Sequence, residues 1–123
     1  MVALTPIITR SIDAARSAGN GFHAEHVVLR GPLQQTVLAL LEGTVLTEHE
    51  SDVPASVYIL HGAIRVEGPE PYVIEQGALH ELKEKRRAVV AIEDTVLLLS
   101  ASTGGSGRGI EAEDIREYVL APE

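Results

Sequence analysis

Residues 41–68 read LEGTVLTEHESDVPASVYILHGAIRVEG. Short apolar runs separated by turn residues fill this stretch. TVLTEHES is broken at Asp52 to Pro54, and SVYILH turns at Gly62 into AIRVE. AIRVE alternates, with Ile64 and Val66 on one face and Arg65 and Glu67 on the other, as expected of a half-buried strand.

The same punctuation continues on both sides. FHAEHVVLR precedes Gly31-Pro32, and QQTVLALLE precedes Gly43. After Gly68 to Pro71 come YVIE and, from Gly77, ALHEL; after the polar KEKRR come AVVAI and TVLLLSA, which flank Glu93-Asp94. About eight strands with regular turns predict a sandwich or barrel and not βαβ units. Aromatics make up only 3% of the 123 residues, so Val, Ile, Leu and Ala must build the core. That length suits one domain.

Two segments depart from the β pattern. TPIITRSIDAARSA, residues 5–18, reads as a helix with Thr5 as its cap, Pro6 in its first position, and Ile8, Ile12 and Ala15 at helical spacing. Gly19, Asn20 and Gly21 end it. At the other end STGGSGRG reads as a linker before IEAEDIREYVLAPE, a short amphipathic helix with Ile115, Tyr118 and Val119 on one face. The expected organisation is a helix and linker over 1–21, a β domain over 22–101, and a linker with amphipathic tail over 102–123. A lone amphipathic helix must dock somewhere, either on its own domain or on a second subunit.

Composition removes several function classes. The formal charge of −8, from 10 basic and 18 acidic residues, disfavours nucleic-acid binding. The absence of cysteine excludes disulfides, thiolate metal sites and cysteine nucleophiles. MVALTPIITR does not read as a signal peptide, and no run approaches the ~18 apolar residues of a membrane span, so the expected location is the cytoplasm. STGGSGRG lacks the lysine of a phosphate-binding loop.

The spacing of the opening stretch resembles the first motif of the cupins: Gly43, five residues, His49, one residue, Ser51, three residues, Ala55, six residues, Gly62. That motif runs glycine, His-x-His, glutamate, glycine. The second motif is weaker: Gly77 starts it, Lys83 stands for the proline, Lys85 for the glycine, Ala88 for the histidine and Ile92 for the asparagine. A one-residue shift puts Arg87 at the histidine position. The resemblance covers residues 31–101 and implies an all-β, cupin-type jelly-roll barrel with a short N-terminal helix and a short C-terminal helical tail.

The resemblance also implies where ligands sit. Cupin metal sites use three histidines and a glutamate, and of these only His49 remains. Ser51, Ala55 and either Ala88 or Arg87 occupy the other places, so no metal and no cofactor is expected, since one imidazole does not hold a divalent ion tightly. His61 and His80 are the remaining histidines near the motif, with unassigned faces; His23 and His26, three apart on a strand, should face opposite ways and sit at the surface. The implied ligand-binding residues are His49, Ser51 and Arg87 at the mouth of a cavity lined by Val57, Ile59, Ile64, Val66, Val90 and Val96, with Arg87 suited to an anion. The functions in view are a small-molecule binder or regulatory module, as a homodimer, and alternatively a metal-dependent dioxygenase or isomerase using His49 with non-standard ligands.

Overall fold

The computed structural model describes residues 1–46, 54–82 and 88–102. Helix α1 (Leu4–Ser17) leads into β1 (Phe22–Arg30) and β2 (Leu33–Leu40). Then come β3 (Val45–Leu46), β4 (Ala55–His61), β5 (Ala63–Val66), β6 (Tyr72–Glu75), β7 (Leu79–Glu81), β8 (Val89–Ala91) and β9 (Thr95–Ser102). All pairings are antiparallel, in a five-stranded sheet ordered β1-β2-β9-β4-β7 and a four-stranded sheet ordered β3-β8-β5-β6. The last strand sits between β2 and β4, and β8 between β3 and β5, the interleaving of a jelly roll.

Alternation sorts the side chains onto two faces. The faces that meet between the sheets carry Phe22, Leu38, Leu40, Ile59, Leu97 and Leu99 from the larger sheet and Ile64, Val66 and Ile74 from the smaller. The outer face of the larger sheet carries Val37, Ala39 and Val96, which are covered by α1. The chain therefore has two apolar layers, one inside the barrel and one under the helix.

The helix differs from its expected form. Its N-cap is Ala3, with no side-chain cap, so Thr5 and Pro6 lie inside the first turn. Proline is tolerated there because its missing N–H has no intrahelical acceptor in any case. The fully buried stripe is Ile7, Ser11 and Ala15, flanked by Ile8 and Ile12. A serine at the centre of the contact is why the buried face lies a residue before the one the isoleucines suggest.

Two motif glycines have distinct reasons to be glycine. Both have positive φ, +86° at Gly43 and +88° at Gly62. Gly43 has open space around it, whereas a Cβ on Gly62 would strike the Asp94 carbonyl and lie 2.6 Å from Thr95 Oγ1. Thr95 is buried there and accepts from the Ala63 N–H at 3.2 Å. This tight turn joins β4 to β5 and so links the two sheets.

No helix among the described residues is long and apolar enough to cross a membrane. The expected linker and amphipathic tail cover 102–123; Ser102 instead ends β9, paired with Leu33, and residues 103–123 lie outside the described residues.

Candidate functional site

The inward side chains of the larger sheet form cross-strand rows. The row nearest the Gly62 turn runs Phe22, Leu40, Thr95, and the next runs Ala24, Leu38, Leu97, Ile59. The third runs His26, Thr36, Leu99, Val57, His80 across all five strands, and the fourth Gln34, Ala101, Ala55. Opposite them, the smaller sheet contributes Ala91, Ile64 and Ile74, then Leu46, Val89, Val66 and Tyr72. Apart from Thr95, tied into its turn, every inward polar group of these rows lies toward one end. That end is the candidate site.

Two polar clusters define it. Gln34 and Thr36 are 2% and 1% exposed, and both reach His26. Thr36 Oγ1 lies 2.8 Å and Gln34 Nε2 3.3 Å from His26 Nδ1. The Thr36 hydroxyl can donate to Nδ1 or accept from it, whereas a Gln34 amide N–H donating to Nδ1 corresponds to the tautomer that carries its proton on Nε2. On the far side, His80 Nε2 lies 3.0 Å from the Tyr72 hydroxyl, with the rings tilted at 59°. This pair bridges the sheets, since His80 sits on β7 and Tyr72 on β6.

The described residues that flank 47–53 and 83–87 lie at this end. The described chain stops at Leu46 and resumes at Pro54, then stops at Leu82 and resumes at Ala88. Leu46 and Val89 pair in the Tyr72 row, and the Leu82 N–H donates to the Ala55 carbonyl at 2.9 Å. His49, Ser51 and Arg87 themselves lie outside the described residues.

Other expected positions are placed directly. Val57, Ile59, Ile64 and Val66 line the interior as expected. Val90 and Val96 do not: Val90 pairs with Val45 and Arg65 on the outward face, and Val96 is buried under α1. Ala88 has the parity of Val90 and not that of the inward Val89, so it does not stand where a ligand would. Ala55, at the motif's glutamate position, packs its methyl against the interior cluster. His61 follows a bulge in β4 that shifts its register, and it is exposed. His80 faces inward. His23 and His26 do face opposite ways, but His26 is an interior residue and not a surface one; its pairing with Thr36 puts it inside. Sequence reasoning missed Gln34, Thr36 and Tyr72 because nothing in the strand pattern marks them before the register is known.

A methyl replaces the carboxylate at position 55, and the described residues contain no group of three His, Asp or Glu able to hold an ion.

A small barrel of two interleaved antiparallel sheets, with its polar groups gathered at one end, defines the class: the chain has the cupin, RmlC-like jelly-roll fold. Solved structures carry that conclusion. The chain is similar to a conserved protein of unknown function from Streptococcus pyogenes, with 26% identity, 68% of this chain and 75% of that one covered, and a TM-score of 0.59. An RmlC-like cupin from Shewanella frigidimarina matches at 15% identity over 69% of this chain and 78% of its own, TM-score 0.61. Salicylate 1,2-dioxygenase from Pseudoaminobacter salicylatoxidans, in complex with gentisate, matches at 14% identity over 79% of this chain but only 32% of its own, TM-score 0.68. No family model and no curated protein matches the sequence.

Proposed function

We propose that this cupin binds a small molecule at the polar end of its barrel without the usual cupin metal set. Ala55 supports this reading most directly, since it offers a methyl where cupins place a carboxylate ligand. The polar groups around it are imidazole, amide, hydroxyl and phenol side chains on an apolar floor, the make-up of an organic-ligand site. His49, Ser51 and Arg87 contribute from the segments that enter and leave the barrel there. The protein acts as a cytoplasmic homodimer, with binding reported to a partner or consumed by chemistry elsewhere.

The test is elemental analysis of protein purified without added metal or chelator, alongside a thermal-shift screen of small organic ligands. Less than a tenth of an equivalent of Fe, Mn, Ni, Cu or Zn, together with stabilisation by at least one organic compound, is expected. One equivalent of metal, lost in His49→Ala, would replace this reading with the metal-dependent enzyme. The inward direction of His80 favours that second reading, because it brings another imidazole to the same end.

A further inference from the structure

We propose that the ligand of this site is a small organic carboxylate, anchored by the Nε2–H of His26; the inference rests on the binding function proposed above. Three observations carry it.

The first is the orientation of His26. Its Nδ1 is occupied by Thr36 and Gln34, both on β2 and both almost fully buried. With the Gln34 amide N–H as the donor to Nδ1, the ring proton sits on Nε2 and makes that nitrogen the donor to an incoming acceptor. A donor positioned before binding loses little entropy when an acceptor arrives.

The second is the absence of competing acids. Among the described residues, the inward polar side chains at this end are His26, Gln34, Thr36, Tyr72 and His80, and none is a carboxylate. The nearby acids are turned elsewhere. Glu25 pairs with Arg10 at 2.7 Å, Glu67 with Arg65 at 2.7 Å, and Glu81 sits beside Ser56 on the opposite face from His80. Among the described residues, then, no inward carboxylate competes with an anion for the His26 cluster.

The third is the floor. Leu99 and Val57 lie between His26 and His80 in one row. They give the ligand an apolar seat, and low polarity strengthens a charge-assisted hydrogen bond at its edge. Four strand spacings separate the two histidines, ~19 Å along the curved sheet, so one carboxylate head does not span them. The head takes His26 and the body lies on Leu99 and Val57. The Tyr72–His80 pair serves a second polar substituent.

Imidazole-detected 15N NMR of the full chain, titrated with butyrate and benzoate and with the matched amides, tests this. Both acids should move the His26 ring resonances saturably, at least tenfold more tightly than butyramide and benzamide. His26→Leu should weaken acid binding about tenfold. His26→Gln, which keeps an N–H donor and covers the case in which the leucine variant does not fold, should fall between. His61→Gln, on an exposed bulge, should change nothing. Equal affinity for acids and amides would overturn the carboxylate assignment while leaving a binding pocket in place. Unchanged affinity in the His26 variants, or no binding of either acid, would overturn it as well. Acid binding that requires added Zn2+ or Mn2+ would instead remove the metal-free function on which it stands.

Discussion

Gly43 and Gly62 allow a comparison within one molecule, because they share a backbone conformation and differ in surroundings. Replacing either with alanine forces an L-residue to a φ near +87°, between the observed +86° and +88°, at a cost of about 1–2 kcal/mol. Either change also removes unfolded-state freedom, returning about 0.4–1 kcal/mol. These two effects are common to both sites and cancel in the difference. What remains is steric. At Gly43 the added methyl meets nothing within 4 Å, so Gly43→Ala should cost about 1 kcal/mol. At Gly62 it meets the Asp94 carbonyl, Thr95 Oγ1 at 2.6 Å and Thr95 Cα at 2.8 Å, two of which are backbone atoms unable to rotate away. Overpacking of this kind costs about 1–3 kcal/mol. Moving Thr95 also disturbs the hydroxyl that accepts from the Ala63 N–H and donates to the Glu93 or Ala63 carbonyl, worth about 1 kcal/mol more. Gly62→Ala should therefore lose about 3 kcal/mol more than Gly43→Ala, a large share of the ~5–15 kcal/mol typical of a domain. Urea unfolding of both variants measures it, with a gap in Tm of about 12 °C expected in parallel. A gap below about 1 kcal/mol would show that the turn between β4 and β5 is not the close approach described.

Three further outcomes follow from particular contacts. Ser11 is fully buried under the sheet, and its hydroxyl has no hydrogen-bond partner among the described residues, so Ser11→Ala should stabilise the chain by about 1 kcal/mol in urea unfolding; a loss of stability would reveal a missing partner. Thr36→Val keeps the shape but removes the oxygen 2.8 Å from His26 Nδ1, and should cost about 1–2 kcal/mol and alter the His26 ring 15N shifts; unchanged shifts would mean Gln34 alone sets the ring. If residues 103–123 help hold the proposed homodimer, a chain ending after Ser102 should elute at a smaller size by more than its lost mass, and an unchanged elution apart from that mass would remove them from that role.

The extent to which the sequence revealed this molecule depends on what each residue type can signal alone. Strand extents were legible, since FHAEHVVLR is β1 from end to end and YVIE is β6. So were the turns, because Gly43 and Gly62 sit where backbone geometry leaves little choice. Facing was harder. Period-two alternation says that His23 and His26 oppose each other, but only the pairing of His26 with Thr36 shows which one is inside. Val57 and Val96 look alike in the chain, yet one faces the barrel and the other the helix, because the larger sheet is covered on both faces and apolar character no longer reports direction. Bulges at Val27 and Leu60 reset parity within β1 and β4, which defeats counting from one end and leaves His61 exposed. The helix hid its contact by burying a serine.

A motif read letter by letter drew attention to His49, Ser51 and Arg87, the places where cupins keep metal ligands. Register drew attention to residues with no motif at all: Gln34, Thr36 and His26 on β1 and β2, and Tyr72 with His80 across the two sheets. These approaches meet at one end of the barrel, since the strands flanking both motif segments end in the rows that hold the polar side chains. Position 55 contributes a methyl to that end while Gln34 and Thr36 are held in burial around one imidazole, so its polar character comes from side chains that only the pairing of β1 with β2 brings together.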